Sequence, residues 1–107
     1  MTQQELQIQI ENKKLVPVVK LDSAEDAKPL CQALCQGGLP VAEITFRTNA
    51  AEKAIYTASR EFPEMILGAG TIVNVDQAKR AADVGAQFLV TPGFSHSVTQ
   101  WAVDKKI

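Results

Sequence analysis

The 107-residue chain predicts an α/β fold made of repeated strand–helix units on a parallel sheet. Three observations lead there. Short runs rich in β-branched residues recur four times. Each run is followed by an Ala-rich segment of helical length that opens on a capping residue. Successive runs lie roughly 20 to 25 residues apart, the length of a minimal strand–loop–helix–loop unit. Such alternation argues for βαβ units rather than hairpins.

The elements follow in order. TQQELQIQIENKK (2–14) reads as an extra helix ahead of the first strand. LVPVVKL (15–21) is the first β-branched run, and Asp22 and Ser23 are N-cap candidates for the Ala/Leu-rich helix that ends at Gly37-Gly38. The second strand starts at Leu39-Pro40 and ends at Arg47. Thr48 or Asn49 can cap the next helix, AAEKAIYTASREF (50–62), which stops before Pro63. MILGAGTI (65–72) is the third strand, and Asn74 caps NVDQAKRAADVGA (74–86), whose helix ends at Gly85. AQFLVTPG (86–93) is the fourth strand, with Ser95 as the cap for HSVTQWAVDKK (96–106).

This unit builds two folds, the open doubly wound sheet and the closed (β/α)8 barrel. The second strand separates them. In a doubly wound sheet both faces of a central strand pack on helices and should be apolar. Here Glu43, Thr45 and Arg47 share one face, and Ala42, Ile44 and Phe46 share the other. An apolar outer face under helices with a polar inner face is a barrel pattern. The expectation is therefore a TIM-type (β/α)8 barrel, of which this chain forms about the first four β/α units, as one domain over residues 1–107.

Composition sets bounds on function. The chain is 46% apolar and 21% charged with a net charge of −1, so it carries no basic field to draw nucleic acid or a membrane surface. No apolar run approaches the roughly 20 residues that span a bilayer. The N-terminus lacks a signal-peptide pattern, so a cytoplasmic protein is expected. Cys31 and Cys35 sit four apart on a helix without a His nearby, which reads as two reduced thiols rather than a zinc site. No His/Cys/Asp cluster has metal-ligand spacing, and no cofactor or metal is expected.

The chemistry concentrates at the C-terminal strand ends. A carboxylate inside a barrel is costly unless paired, hydrated or functional. Pairing Glu43 with Arg47 along one strand would have to bridge roughly 13 Å of rise. A partly buried Glu43 has a raised pKa and suits proton transfer. Arg47 can grip a carboxylate or phosphate with two parallel hydrogen bonds. In GAGT (68–71) the small residues permit close approach of backbone and ligand, and Thr71 offers a hydroxyl. GAGTIV lacks the third glycine of a dinucleotide fingerprint. TPG (91–93) reads as a turn or a ligand contact, the single His96 as a surface residue, and Trp101 as a cover for apolar surface.

AEITFRT (42–48), GAGTIVN (68–74) and FLVTPGF (88–94), preceded by LVPVVKLDSAEDA (15–27), together resemble the 2-keto-3-deoxy-6-phosphogluconate / 4-hydroxy-2-oxoglutarate aldolase family. The resemblance implies a class I aldolase, a cytoplasmic lyase of Entner–Doudoroff carbohydrate metabolism. It would cleave a 2-keto-4-hydroxy acid to pyruvate plus an aldehyde through a lysine Schiff base, and the family is usually trimeric. It implies that Glu43 moves protons, that Arg47 binds the pyruvate carboxylate and that Thr71 contacts the same pyruvate unit. The family's chains are about twice this long, as a barrel of at least about 200 residues requires. The K-F/L-F-P segment that bears its Schiff-base lysine is absent here. The expectation is the N-terminal half of such an enzyme, inactive alone. The competing expectation is a half-barrel without catalysis that binds an anion or assembles with another half.

Overall fold

The computed structural model describes residues 1–107. Helix α1 (Gln3–Lys13) precedes the sheet, and then four strands alternate with helices: β1 (Val18–Val19), α2 (Ala27–Gln36), β2 (Val41–Thr45), α3 (Ala51–Glu61), β3 (Ile66–Gly70), α4 (Val75–Asp83), β4 (Phe88–Leu89) and α5 (His96–Lys105). A single 3-10 turn, Ala24–Asp26, leads into α2. All strands are parallel and their spatial order is β1-β2-β3-β4. Sequential parallel order with intervening helices is the barrel arrangement. No helix is long and apolar enough to cross a membrane.

The helix termini follow their local chemistry. Thr2 and Glu5 form a reciprocal capping box on α1. Ser23 caps the 3-10 turn by accepting from Glu25 N–H, not α2 itself, whose first turn has no side-chain cap. Asn74 accepts from Gln77 N–H to start α4, and Ser95 accepts from Val98 N–H to start α5. Neither Thr48 nor Asn49 is the cap of α3, where Ala50 occupies the cap position. The Thr48 hydroxyl instead donates to the Leu21 carbonyl and accepts from Ala50 N–H. It thereby ties the β2–α3 loop to the loop after β1.

The core lies on one side of the sheet. Ala42 and Ile44 from β2 and Leu67 and Ala69 from β3 meet Ala27 and Cys31 of α2, Ala51, Ala54, Ile55 and Ala58 of α3, and Ala78 and Ala81 of α4. The buried positions of α3 fall at i, i+3, i+4 and i+7, the stripe of a helix that packs on one face. Alanine dominates that stripe, which lets the helices sit close to the strands. The opposite face of the sheet carries Val41, Glu43 and Thr45 beside Ile66, Gly68 and Gly70, as the register pairs them. Helices α2, α3 and α4 thus pack on the outer face, and the sheet is not doubly wound.

The two outer strands are short. β1 and β4 each contribute two paired residues against five in β2 and β3, because each has a single neighbour to bond. Val18 on β1 is 66% exposed. Cys31 is buried, Cys35 is half-buried, and both are free. Burial, with help from Glu64, pushes the Cys35 thiol up to about 11, so both residues serve as small apolar groups of α2.

Removal of the Ile44 side chain should be costly, since it is fully buried between sheet and helices. Ile44→Ala is expected to lower stability by about 2–5 kcal/mol, whereas Val18→Ala should cost less than about 0.5 kcal/mol. Urea denaturation of both variants measures this. Equal midpoints would show that the outer face is not the core.

Candidate active site

The inner face of β2 and the C-terminal ends of β2 and β3 bring together most of the polar residues that the sequence singles out. Glu43 is in the middle of β2 and is only 9% exposed. No salt bridge or hydrogen bond reaches its carboxylate, and in particular none joins it to Arg47. Burial raises its pKa above the usual carboxylate value, because moving a charge away from water disfavours the ionised form. A carboxyl group so placed keeps its proton to higher pH than an exposed one, which suits proton transfer.

The side chain of Glu43 does not stand straight above its own strand. It leans across β3, where a Cβ built on Gly70 would overlap its Oε2 and come within 2.7 Å of its Cδ. On the other side, a Cβ on Gly68 would overlap the ring of Phe88 from β4. The two glycines of GAGT thus make room for neighbours within the protein. Neither has a positive φ, so the requirement is space and not backbone freedom. Two small residues at alternate positions of one strand, with bulky residues on the strands beside it, were the available sequence signal. The pairing itself depends on register.

Thr45, one inner position further along, is buried and donates to the Val19 carbonyl, 3.2 Å away. It fastens β1 to β2 and so serves the sheet. β2 then ends, two residues earlier than its β-branched pattern predicts. Phe46 N–H bonds the Gly70 carbonyl at 2.7 Å, and the Phe46 ring packs against the core with the Arg80 guanidinium over it, 5.8 Å from its centre. Arg47 therefore belongs to the turn after β2. It is exposed and takes part in none of the four salt bridges, which join Lys20 to Asp22, Lys28 to Glu61 and Arg80 to both Glu52 and Asp76.

Thr71 follows β3 directly. Its φ is 57°, in the left-handed region that a β-branched residue rarely enters. The backbone on both sides is held, through the Gly70 carbonyl to Phe46 and through Ile72 N–H to the Val90 carbonyl at 3.1 Å. Strain kept in place by its surroundings is typical of ligand-binding positions. Because Thr45 pairs with Gly70, Arg47 and Thr71 leave the sheet at the same end of adjacent strands. No enclosed cavity forms around them. Grooves run instead along α1 and the last turn of α5, past Gln3 and Lys106. Four strands form an arc, and an arc has no far wall.

The remaining candidates separate from this group. Lys20 is near half-exposed and bonded to Asp22 at 3.4 Å. His96 opens α5 and is exposed. Trp101 packs against the core, and its indole Nε1 is buried without a partner. No three His, Cys, Asp or Glu side chains are grouped so as to hold a metal ion.

Comparison with known proteins gives a consistent result. The family model of KDPG and KHG aldolase matches residues 6–107. The chain is 46% identical over 89 residues to a 2-dehydro-3-deoxy-phosphogluconate aldolase of Treponema pallidum, covering 83% of this chain and 42% of that protein. It is 39% identical over 93 residues to the KHG/KDPG aldolase of Escherichia coli, covering 87% and 44%. Among solved structures, a KDPG aldolase from Legionella pneumophila superposes with a TM-score of 0.81 at 35% identity, covering 86% of this chain and 45% of that one. Pyruvate is captured there as a covalent carbinolamine. The chain thus spans less than half the length of these relatives, and its sheet corresponds to part of their barrel.

Glu43 should leave a signature in the pH dependence of stability. Its folded pKa lies above the unfolded one, so its contribution is fully present below the ordinary carboxylate pKa and is lost as pH rises through the folded value. Wild type is therefore expected to lose stability relative to Glu43→Gln as pH increases from about 4 towards neutrality. Thermal unfolding of both proteins across that range checks this. Parallel curves would mean that Glu43 is not desolvated.

Proposed function

Because this chain belongs to the KDPG and KHG aldolase family, we propose that it is the pyruvate-gripping part of an aldolase. The reaction is cleavage of a 2-keto-4-hydroxy acid, a phosphorylated keto-deoxy gluconate or 4-hydroxy-2-oxoglutarate, to pyruvate and an aldehyde. The observation that carries the reading is Glu43, a buried carboxyl group without a partner on the inner face of the sheet, with Arg47 and Thr71 at the neighbouring strand ends.

On this reading the keto acid lies over the C-terminal ends of β2 and β3. Arg47 takes its carboxylate in a bidentate grip, for which its guanidinium is uncommitted. Thr71 adds one hydroxyl hydrogen bond to the same pyruvate unit. A lysine amine attacks the keto carbon to give a carbinolamine, which loses the former keto oxygen as water and leaves an iminium. Glu43, ionised, takes the proton of the C4 hydroxyl as the C3–C4 bond breaks, and the electron pair of that bond flows into the iminium. The aldehyde departs, Glu43 returns the proton to C3 of the resulting enamine, and water releases pyruvate. A carboxyl whose pKa is raised by burial is suited to taking up and returning a proton. The carbinolamine seen in the Legionella pneumophila relative supports the covalent route.

The lysine of that step is not among the strand-end residues described here. Lys20 is the nearest candidate, and it is held by Asp22 in an exposed pair. The 107-residue chain is therefore expected to form no adduct with pyruvate under borohydride reduction, as read by intact mass. A reduced pyruvyl adduct on Lys20 would overturn the assignment of the amine to another segment.

The roles of the three side chains can be measured in a barrel completed with the C-terminal segment of the Legionella pneumophila relative, which is 35% identical over the matched part. Glu43→Gln should reduce turnover by about 10²–10⁴-fold. Arg47→Lys should raise the KM for pyruvate in the aldol direction, because a point charge does not reproduce the fork. Thr71→Val should cost about 0.5–1.5 kcal/mol of binding, less than Arg47→Lys. Near-normal turnover of Glu43→Gln would reduce Glu43 to a structural residue.

A further inference from the structure

Glu43 has three rotatable side-chain bonds and no hydrogen-bond partner, yet its carboxylate occupies one defined place. What holds it there is a missing side chain. On the inner face of β3 the side-chain positions fall to residues 66, 68 and 70, and two of these three are glycines. Glu43 pairs in register with Gly68, and Thr45 pairs with Gly70. The Glu43 side chain runs forward along the sheet by one inner position and sideways onto β3. A Cβ on Gly70 would overlap its Oε2 and lie 2.7 Å from its Cδ and 3.0 Å from its Cγ. The whole outer half of the side chain therefore rests in the space above Gly70. The preceding inner position is closed from the other side, because the ring of Phe88 fills the space that a Cβ on Gly68 would occupy.

We propose that Gly70 is a positioning residue for Glu43. The bare α-carbon opens a slot into which the carboxyl group of the adjacent strand fits, next to Thr71, and Phe88 over Gly68 closes the slot behind it. The proposal rests on the reading of Glu43 as the proton-transfer group. The slot brings the carboxylate towards the strand end where the keto acid would lie, so that a residue from the middle of β2 serves a site at its end. Misplacement of a catalytic group by about 1 Å can cost about 10²-fold in rate, so a methyl at residue 70 would matter although it touches no substrate.

Two measurements on the 107-residue chain test this without any appeal to turnover. The first is a carbon-detected NMR titration of the Glu43 carboxyl. Gly70→Ala should expel the carboxyl from its slot into water and lower its titration midpoint towards the ordinary carboxylate value, by about half a pH unit or more. A midpoint that is unchanged or higher overturns the proposal. The second is a thermal double-mutant cycle. Gly70→Ala should lower the unfolding midpoint when Glu43 is present and should leave or raise it in a Glu43→Ala background, where the overlap is gone. Equal effects in both backgrounds also overturn it. If Gly70→Ala alone fails to fold, the Glu43→Ala/Gly70→Ala protein should recover the fold, and failure to recover counts against the slot. The catalytic role of Glu43 stands or falls separately, on the Glu43→Gln turnover of the completed barrel.

Discussion

The five-residue parallel pairing of Val41–Thr45 with Ile66–Gly70 governs the rest of the molecule. Side chains alternate in a strand, so a slip of one residue would exchange the two faces of the sheet. The register is locked by packing on one side. Ala42, Ile44, Leu67 and Ala69 are at most 1% exposed beneath the helices, and burying an aliphatic side chain of this kind contributes about 1.5–3 kcal/mol for the larger ones. A slipped strand would drive Glu43 and Thr45 into that layer and take Ile44 out of it. The apolar side thus decides where the polar side points, and the location of Glu43 follows from the burial of its neighbours.

Much of this was legible in the chain. The four strand–helix repeats, their order and the outward face of β2 follow from periodicity and cap residues, and Asn74 and Ser95 cap the helices that they precede. Strand lengths were less legible. The run 15–21 yields only Val18–Val19, and 86–93 only Phe88–Leu89, because composition records β-propensity while pairing requires a neighbour. Arg47 was placed on β2 by alternation, but the chain turns once Phe46 bonds Gly70 and its ring joins the core. The capping role expected of Thr48 gives way to a link between two loops. The contacts of Gly68 with Phe88 and of Gly70 with Glu43 could not be read at all, since they join residues far apart in sequence that only the register brings together.

Charge is arranged with similar economy. Arg80 is engaged with Glu52 at 2.6 Å and Asp76 at 3.5 Å on the helical surface, where exposed pairs contribute little to stability. Lys20 and Lys28 each have an acidic partner. Arg47 has none, and no carboxylate from its own loop competes for it. A cation kept free of internal partners at the strand ends, beside a carboxyl group kept free of internal cations, is an electrostatic arrangement that a ligand can complete from outside.

Thr71 shows what such an arrangement asks of the backbone. A left-handed conformation disfavours ordinary residues by roughly 1–2 kcal/mol, and glycine or asparagine would relieve much of that. A sequence optimised for durability alone would replace Thr71 at once. A search for strained non-glycine positions would choose this residue alongside Lys14 and Lys106, and would erase the hydroxyl at the strand end with it. In a chain of this size, a gain in heat resistance and the loss of a strand-end hydroxyl would coincide at one position.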